Sequence, residues 1–321
     1  MEIGTTLPTG CTDEYAVPPD AMRSWAAGAE DRGFAGLWAL DHLLKPDTYA
    51  TSVLNAPVAL AHAAGVTETI PLGTSILLLP LRGAANAADA ALSVQYLADR
   101  EVTLGLGAGY VPGEFAVTGV PIEERGPRLS EGIEVLQELF SGDGTVEGRF
   151  RSFEGVRMDP VPADPPRVLA GGSSLYTDGG MPEPMLDRVV TADGWLAPPA
   201  APELVEDDWA TIRAHAVDAG VDPDTIDVVM LNYCYLVDTD DRGRAHDEQA
   251  AAFAEFFSPD RGFGHARETC LTGTPADIND RLDAYEAAGV DQLIAGTPAH
   301  NPADLDEQLD LLTAHVLAPR A

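Results

Sequence analysis

The chain has 321 residues, of which 52 are acidic and 19 are Lys or Arg, so its formal net charge is −33. Hydrophobic residues make up 45% of the sequence, which is enough for a large core and excludes an acidic disordered chain. The charge repels a phosphate backbone and so excludes nucleic acid as a partner. No apolar run reaches the ~18 residues of a membrane span.

Strand-like and helix-like segments alternate along the chain. The apolar segments predicted to be strands are residues 3–7, 34–40, 70–79, 102–106, 167–170, 194–196, 227–237 and 292–295. The segments predicted to be helices are 18–33, 55–68, 84–99, 125–140, 185–191, 202–220, 245–257, 275–289 and 302–317. A small β-hairpin is predicted over 146–158.

This alternation predicts parallel strands joined by helical crossovers. A closed barrel and an open doubly wound sheet both satisfy that pattern. About eight strands and a chain of this length favour a (β/α)8 TIM barrel with insertions. The sequence has no internal repeat, linker or low-complexity tract, so residues 1–321 are predicted to form a single barrel domain.

In a barrel of this kind, chemistry takes place where strands end and the following loops begin. Polar or glycine-rich residues stand at several predicted strand ends, namely Asp41-His42, Gly73-Thr74-Ser75-Ile76, Gly105 to Tyr110, Gly171-Gly172-Ser173-Ser174 and Ala192 to Trp195. Glycine lets the backbone approach a flat ligand, because it has no Cβ. The amides and hydroxyls of 171–174 can donate to a phosphate, although an ordinary loop has the same composition.

Two enzyme classes are disfavoured by their missing signatures. The Gly105-x-Gly107-x-Gly109 run does not have the GxGxxG spacing, and its strand is the fourth of the chain, which argues against a dinucleotide-binding fold. No GxSxG elbow occurs, so an α/β hydrolase is unsupported.

A metal site is not predicted. The segment 238–249 imitates the start of a calcium loop, but Arg242 stands at a ligand position and Gln249 replaces the bidentate glutamate. The three cysteines, Cys11, Cys234 and Cys270, are far apart and form no CxxC pair. A zinc site and a disulfide framework are therefore both disfavoured.

Taken together, these segments resemble the bacterial luciferase-like superfamily of flavin- and deazaflavin-dependent oxidoreductases. The match covers most of the chain, and residues 104–115, 119–121 and 124–126, followed by an amphipathic helix, carry it most specifically. Shorter matching pieces are Gly33-Phe34, Leu37-Trp38, Asp41-His42, Pro71 to Thr74, Pro80 to Arg82, Ala170 to Gly172, Ala192 to Trp195 and Gly273 to Pro275.

The resemblance implies a dimeric (β/α)8 barrel with a flavin-like ring across its C-terminal mouth. The residues it implies beside the cofactor are Thr74, Ser75, Ile76, Gly107, Gly109, Tyr110, Gly171, Gly172, Ser173 and Ser174, with the phosphate near the last four. It also implies a bulge in the third strand with a non-proline cis peptide at Ser75–Ile76. The chain departs from the family at residues 43–46, where many deazaflavin-dependent members have a tryptophan, and at residues 96–100.

The leading functional hypothesis is a coenzyme F420-dependent oxidoreductase that moves a hydride between the deazaflavin and a small organic substrate. His42 would donate or accept the accompanying proton, and Asp41 would orient His42. An FMN-dependent luciferase-like monooxygenase is the alternative, and a barrel that binds a flavin without catalysis is a third possibility. A purely structural role for His42 also stays open.

The surroundings of the protein are predicted from two features. The N-terminus lacks the basic start and apolar stretch of a signal peptide, which predicts the cytosol. Lys45 is the only lysine, and the acidic residues are spread along the chain, which is typical of proteins from a salt-loving organism. Salt screens repulsion between surface charges, so we expect the melting temperature to rise strongly between low and multimolar KCl. An unchanged melting temperature would remove the salt-adaptation argument.

Overall fold

The computed structural model describes residues 1–11, 16–49, 51–258, 262–299 and 301–320. Eight parallel strands form a closed barrel: β1 (Glu2–Thr6), β2 (Leu37–Ala39), β3 (Leu72–Leu78), β4 (Val102–Gly107), β5 (Arg167–Gly171), β6 (Gly194–Ala197), β7 (Asp227–Tyr233) and β8 (Gln292–Gly296). They follow one another around the barrel in chain order, and β8 closes it against β1 with Leu293 opposite Ile3. This confirms the predicted (β/α)8 barrel and rules out the open sheet.

Helices surround the barrel and join its strands. They are α1 (Pro19–Asp31), α2 (Ala56–Ala64), α3 (Leu79–Arg82), α4 (Ala84–Ala98), α5 (Pro112–Thr118), α6 (Arg125–Phe140), α7 (Glu183–Thr191), α8 (Pro202–Asp218), α9 (Arg242–Phe256), α10 (Gly262–Thr269), α11 (Pro275–Ala287) and α12 (Pro302–Leu312). Among the described residues, no helix is both long and apolar enough to cross a bilayer.

Outside the barrel, two small antiparallel pairs occur. Gly144–Glu147 pairs with Ser152–Val156, which confirms the predicted hairpin, and Gly10–Cys11 pairs with Ser52–Val53, which the sequence did not indicate. The short helices α3, α5 and α10 were not predicted either. Strand β7 ends at Tyr233, four residues before its predicted end at 237.

Alternation along the strands divides the core into two layers. One set of side chains fills the barrel interior: Trp38, Leu169, Leu196, Val229 and Ile294. Their strand neighbours point outward and pack under the helices: Leu37, Val168, Trp195, Val228 and Leu293. Both sets are buried, which is why these strands read as continuous apolar runs in the sequence.

Strand β3 is irregular where the family resemblance predicted a bulge. Ser75 lies opposite Gly105 of β4, but the next paired residue, opposite Leu106, is Leu77. The register therefore shifts at Ile76, and the Ser75–Ile76 peptide bond is cis. Both features of the third strand are confirmed.

Candidate active site

The carboxyl ends of the eight strands lie at one rim of the barrel, because all eight run parallel. Around that rim lie His42 after β2, the cis bond of β3, Tyr110 after β4 and the loop 171–174 at the end of β5. The fold thus brings the sequence-predicted site residues to the same end of the barrel, the end at which chemistry occurs in barrels of this type.

The floor of this mouth is apolar. Ile76 and Leu231 are half-buried and pack on the interior cluster from above. A Cβ at Gly107 would overlap Cδ1 of Ile76, and one at Gly171 would lie 3.6 Å from its Cγ2 and 2.7 Å from the Leu106 carbonyl oxygen. These two glycines therefore make room for the Ile76 side chain, which differs from the direct approach to a ligand that the sequence suggested.

The remaining predicted residues of β3 and β4 have different roles. Thr74 is buried and its hydroxyl donates to the Gly105 carbonyl over 3.0 Å, so it secures the barrel. Gly109 has a φ of 77°, a backbone conformation in which glycine is favoured. Tyr110 is partly exposed, and its hydroxyl lies 2.6 Å from Oγ1 of Thr48.

Two buried hydroxyls have no hydrogen-bond partner among the described residues. They belong to Ser75, beside the cis bond, and to Thr297, immediately after β8. An unpaired buried polar atom costs free energy unless a partner reaches it. An apolar floor with unsatisfied polar atoms near it suits a flat heteroaromatic ring that has polar edges, so these residues fit a flavin or deazaflavin ring.

His42 contacts a buried carboxylate. Its Nδ1 lies 3.1 Å from Oε1 and 3.3 Å from Oε2 of Glu114, whose side chain is fully buried. Glu114 Oε1 also accepts from the backbone N–H of Leu43, over 2.6 Å, and of Leu44, over 3.2 Å. The ring packs edge-to-face on Tyr110, with centroids 5.8 Å apart.

This geometry decides which imidazole nitrogen is available. A carboxylate at Nδ1 favours the tautomer in which Nδ1 carries the hydrogen and donates it to Glu114. Nε2 then has its lone pair free, and no described residue hydrogen-bonds to it. The His42 side chain keeps 15% of its surface exposed at the mouth.

Burial raises the pKa of the Glu114 carboxyl, but hydrogen bonds from His42 and from the amides of Leu43 and Leu44 outweigh it, leaving the pKa below its ordinary value. Because the folded pKa is lower than the unfolded one, ionised Glu114 stabilises the fold fully above the unfolded pKa. That stabilisation is lost as the pH falls through the folded pKa.

We expect Glu114→Gln to make the loss of stability in acid smaller, because glutamine has no carboxyl group to titrate, while other carboxyls with lowered pKa values, such as those of Glu30 and Asp277, still contribute. Urea unfolding from neutral pH down to about pH 3 measures it. Glu123→Gln is the matched control, since Glu123 is exposed and its loss removes the same charge. A Glu114→Gln profile parallel to that of the wild type would contradict the pKa shift.

Asp41 points away from His42. Its carboxylate accepts from the backbone N–H of Leu78, over 3.1 Å, and from Nε and Nη2 of Arg82, over 3.1 and 2.5 Å. Residues 41 and 42 therefore meet different partners although they are adjacent in the chain. The carboxylate that orients His42 in this geometry is therefore Glu114, and Asp41 secures the end of β2 to α3.

The predicted phosphate loop is held by internal contacts. Asp208 Oδ2 accepts from Oγ of Ser173, over 2.7 Å, and from the backbone N–H of Ser174, over 3.0 Å. Nε1 of Trp195 donates to the Gly172 carbonyl over 2.7 Å, and its ring stacks on Trp209. A Cβ at Gly172 would lie 2.6 Å from the sulfur of Met185 in α7.

The sequence did not identify Glu114 and Asp208 as site residues, although each lies in a recognisable local pattern. Glu114 lies in the first turn of α5, which opens at Pro112 and is capped by Gly119 with a φ of 71°, an ordinary helix start and stop. Asp208 shares a helix face with Val205, Trp209 and Ile212, so it is an acid in an apolar stripe. Neither signal names the partner side chain.

No cluster of three or more His, Cys, Asp or Glu side chains is placed to hold a metal ion in the described part of the chain. Cys234 and Cys270 are buried in the core, and burial raises the pKa of the Cys234 thiol to about 12.

The chain belongs to the luciferase-like monooxygenase family, whose model matches residues 1–266. An uncharacterized protein of Mycobacterium tuberculosis is 30% identical over 177 residues, which are 54% of this chain and 59% of that relative, so the match spans little more than half of the relative's length. The 5,10-methylenetetrahydromethanopterin reductase of Methanolobus tindarius is 26% identical over 88% of this chain and 92% of its own. An FMNH(2)-dependent dimethylsulfone monooxygenase of Pseudomonas fluorescens is 27% identical over 86% and 82%.

Solved structures share the fold over the full chain. The monooxygenase RslO1 of Streptomyces bottropensis has a TM-score of 0.82 at 22% identity and covers 100% of both chains. An F420-dependent secondary alcohol dehydrogenase, in complex with an F420–acetone adduct, has a TM-score of 0.80 at 20% identity and covers 100% of this chain and 99% of its own. The chain is thus a member of a family of oxidoreductases and monooxygenases that contains both F420- and FMN-dependent proteins.

Proposed function

We propose that the protein is a coenzyme F420-dependent oxidoreductase that moves a hydride between the deazaflavin and a small organic substrate such as an alcohol or its carbonyl product. The observation that carries the proposal is the His42–Glu114 pair beside the apolar floor of the mouth. Oxidation of an alcohol removes a proton together with a hydride, and an imidazole with a free Nε2 can take that proton.

The residues of the chain would divide the work as follows. The deazaflavin, when bound, supplies the carbon that accepts or gives the hydride. His42 Nε2 takes the hydroxyl proton of the substrate in the oxidative direction and returns it in the reductive one. Glu114 keeps the hydrogen on Nδ1 and stabilises the imidazolium that forms. Ile76 and Leu231 exclude water beneath the ring site.

An FMN-dependent monooxygenase is the second candidate. The FMNH(2)-dependent relative, which matches most of this chain, favours it. The same floor and the same unpaired hydroxyls of Ser75 and Thr297 suit an isoalloxazine ring as well as a deazaflavin. The two candidates differ in what the reduced cofactor reacts with. In the F420-dependent oxidoreductase a hydride passes between the cofactor and the substrate, whereas in the FMN-dependent monooxygenase the reduced flavin reacts with oxygen.

Binding and turnover separate the candidates. The purified protein is mixed with F420 or with FMN, and binding is followed by the fluorescence of each cofactor. F420 is then tested with a panel of primary and secondary alcohols, and FMNH2 with oxygen consumption. Substrate-dependent bleaching of the F420 absorbance is expected. Binding of FMN alone, with formation of an oxygenated product that the spontaneous reaction of FMNH2 with oxygen does not give, would establish the monooxygenase. Binding without turnover in either assay would indicate a flavin-binding barrel without catalysis.

Several expectations stay predictions. They are the homodimer implied by the family resemblance, the arrangement of residues 1–321 as one domain, the location in the cytosol and the salt-adapted surface.

A further inference from the structure

Asp208 is a buried acid beside the mouth. It lies on α8, is 4% exposed, and places one carboxylate oxygen against two donors of the loop 171–174, the Ser173 hydroxyl and the Ser174 amide. No described Arg, Lys or His forms an ion pair with it. The anion that the loop 171–174 binds in this structure is therefore the carboxylate of Asp208.

Asp208 occupies two of the donors that made this loop a phosphate site in the sequence, the Ser173 hydroxyl and the Ser174 amide. The Ser173 hydroxyl also accepts from the Leu175 amide over 3.1 Å, so it is used twice. A phosphate entering here would have to displace a carboxylate from Ser173 and Ser174, or bind next to a negative charge that water screens poorly. Both routes oppose binding of the anionic phosphate group of either cofactor.

We propose that Asp208 excludes the cofactor phosphate from the loop 171–174, so that the protein binds the ring and its side chain with little contribution from the phosphate. Asp208 is then a residue that determines cofactor specificity. This inference rests on the proposed function, because it assumes that a flavin-type ring occupies the mouth. The ring site itself, at Ile76, Ser75 and Thr297, does not involve Asp208.

The test compares each cofactor with its phosphate-free counterpart at one fixed KCl concentration. The four ligands are FMN, riboflavin, F420 and the deazaflavin that carries an unphosphorylated ribityl chain, and fluorescence titration gives their dissociation constants. For the wild type we expect the phosphate-bearing ligand of each pair to bind no more than about threefold more tightly. In Asp208→Asn, removal of the buried charge is expected to tighten the phosphate-bearing ligands about tenfold and to leave the phosphate-free ligands unchanged.

Asp207→Asn is the matched control, because Asp207 is the preceding residue of the same helix, is exposed, and carries the same charge. It is expected to leave all four constants unchanged. Asparagine at 208 keeps an oxygen that can accept from Ser173 and Ser174, so the loop is expected to retain its conformation. If Asp208→Asn did not fold, the wild-type ratios would decide the question alone.

Several outcomes overturn the inference. The wild type could bind FMN or F420 about 100-fold more tightly than the phosphate-free form. That result would show that the protein has a specific phosphate-binding site. Weaker binding of FMN in Asp208→Asn would make Asp208 an anchor that shapes the loop for phosphate. Failure of all four ligands to bind would overturn both the proposed function and this inference. Tight binding of the phosphate-free ligands would support the ring site, whatever the result for the phosphate.

Discussion

Replacing His42 with alanine is expected to lower the turnover number about 10²–10⁴-fold, which is the usual contribution of a positioned acid or base. Affinity for the cofactor is expected to change little, because His42 contacts Glu114 and Tyr110, whereas the ring site is placed at Ile76, Ser75 and Thr297. Steady-state kinetics with the substrate found in the alcohol panel, together with the cofactor dissociation constant, measures both.

Two comparisons keep this prediction specific. His62 lies in α2, and its ring contacts the Pro19 carbonyl. His62→Ala is expected to leave turnover unchanged. Asp41→Asn is expected to affect turnover much less than His42→Ala, since Asp41 does not contact the imidazole. A His42→Ala protein that melts at a much lower temperature, and whose folded fraction turns over normally, would assign His42 a structural role.

Removing Arg82 is expected to produce the largest loss of stability among the variants considered. The Asp41 side chain is fully buried and the Arg82 side chain is 19% exposed, with two hydrogen bonds joining them. Breaking a buried pair by removing one partner leaves an uncompensated charge and typically costs about 3–5 kcal/mol. We expect Arg82→Met to lower the free energy of unfolding by that amount, as measured by urea denaturation.

The double variant Arg82→Met, Asp41→Asn separates the charge from the packing. It is expected to regain most of the lost stability, because the unpaired buried carboxylate is then absent. Arg157→Met, which breaks the exposed Arg157–Asp159 pair, is the surface control and is expected to show no measurable change. A cost below about 1 kcal/mol for Arg82→Met would show that the Leu78 amide alone suffices to hold Asp41.

The architecture was predictable because it follows from local patterns. Residues 102–106 show the pattern of a strand and residues 125–140 that of an amphipathic helix. The alternation of such segments along the chain predicts a parallel sheet. The boundaries were less predictable, as for β7, where the apolar run continues past Tyr233 and Cys234 forms an isolated bridge with Leu271. The short helix α5 was hidden inside a glycine-rich stretch that read as a loop.

The partners within the site could not be predicted, because they depend on contacts between distant residues. The sequence placed Asp41 next to His42 and so suggested that they interact, yet the carboxylate that contacts the ring lies 72 residues away in α5. Asp208 is likewise 35 residues from Ser173. Local spacing determines which face of an element a side chain takes, but not which side chain of another element it meets.

The contacts of Asp41 and His42 together lower the entropic cost of binding a ligand. Asp41 is held to α3 through Arg82 and His42 to α5 through Glu114, so both side chains are anchored to helices outside their own segment. The conformational entropy of the imidazole is thus lost during folding and not on arrival of a ligand. The reacting oxygen of the substrate must therefore be placed against a fixed His42 Nε2. The position of that oxygen is restricted, while the rest of the substrate can vary.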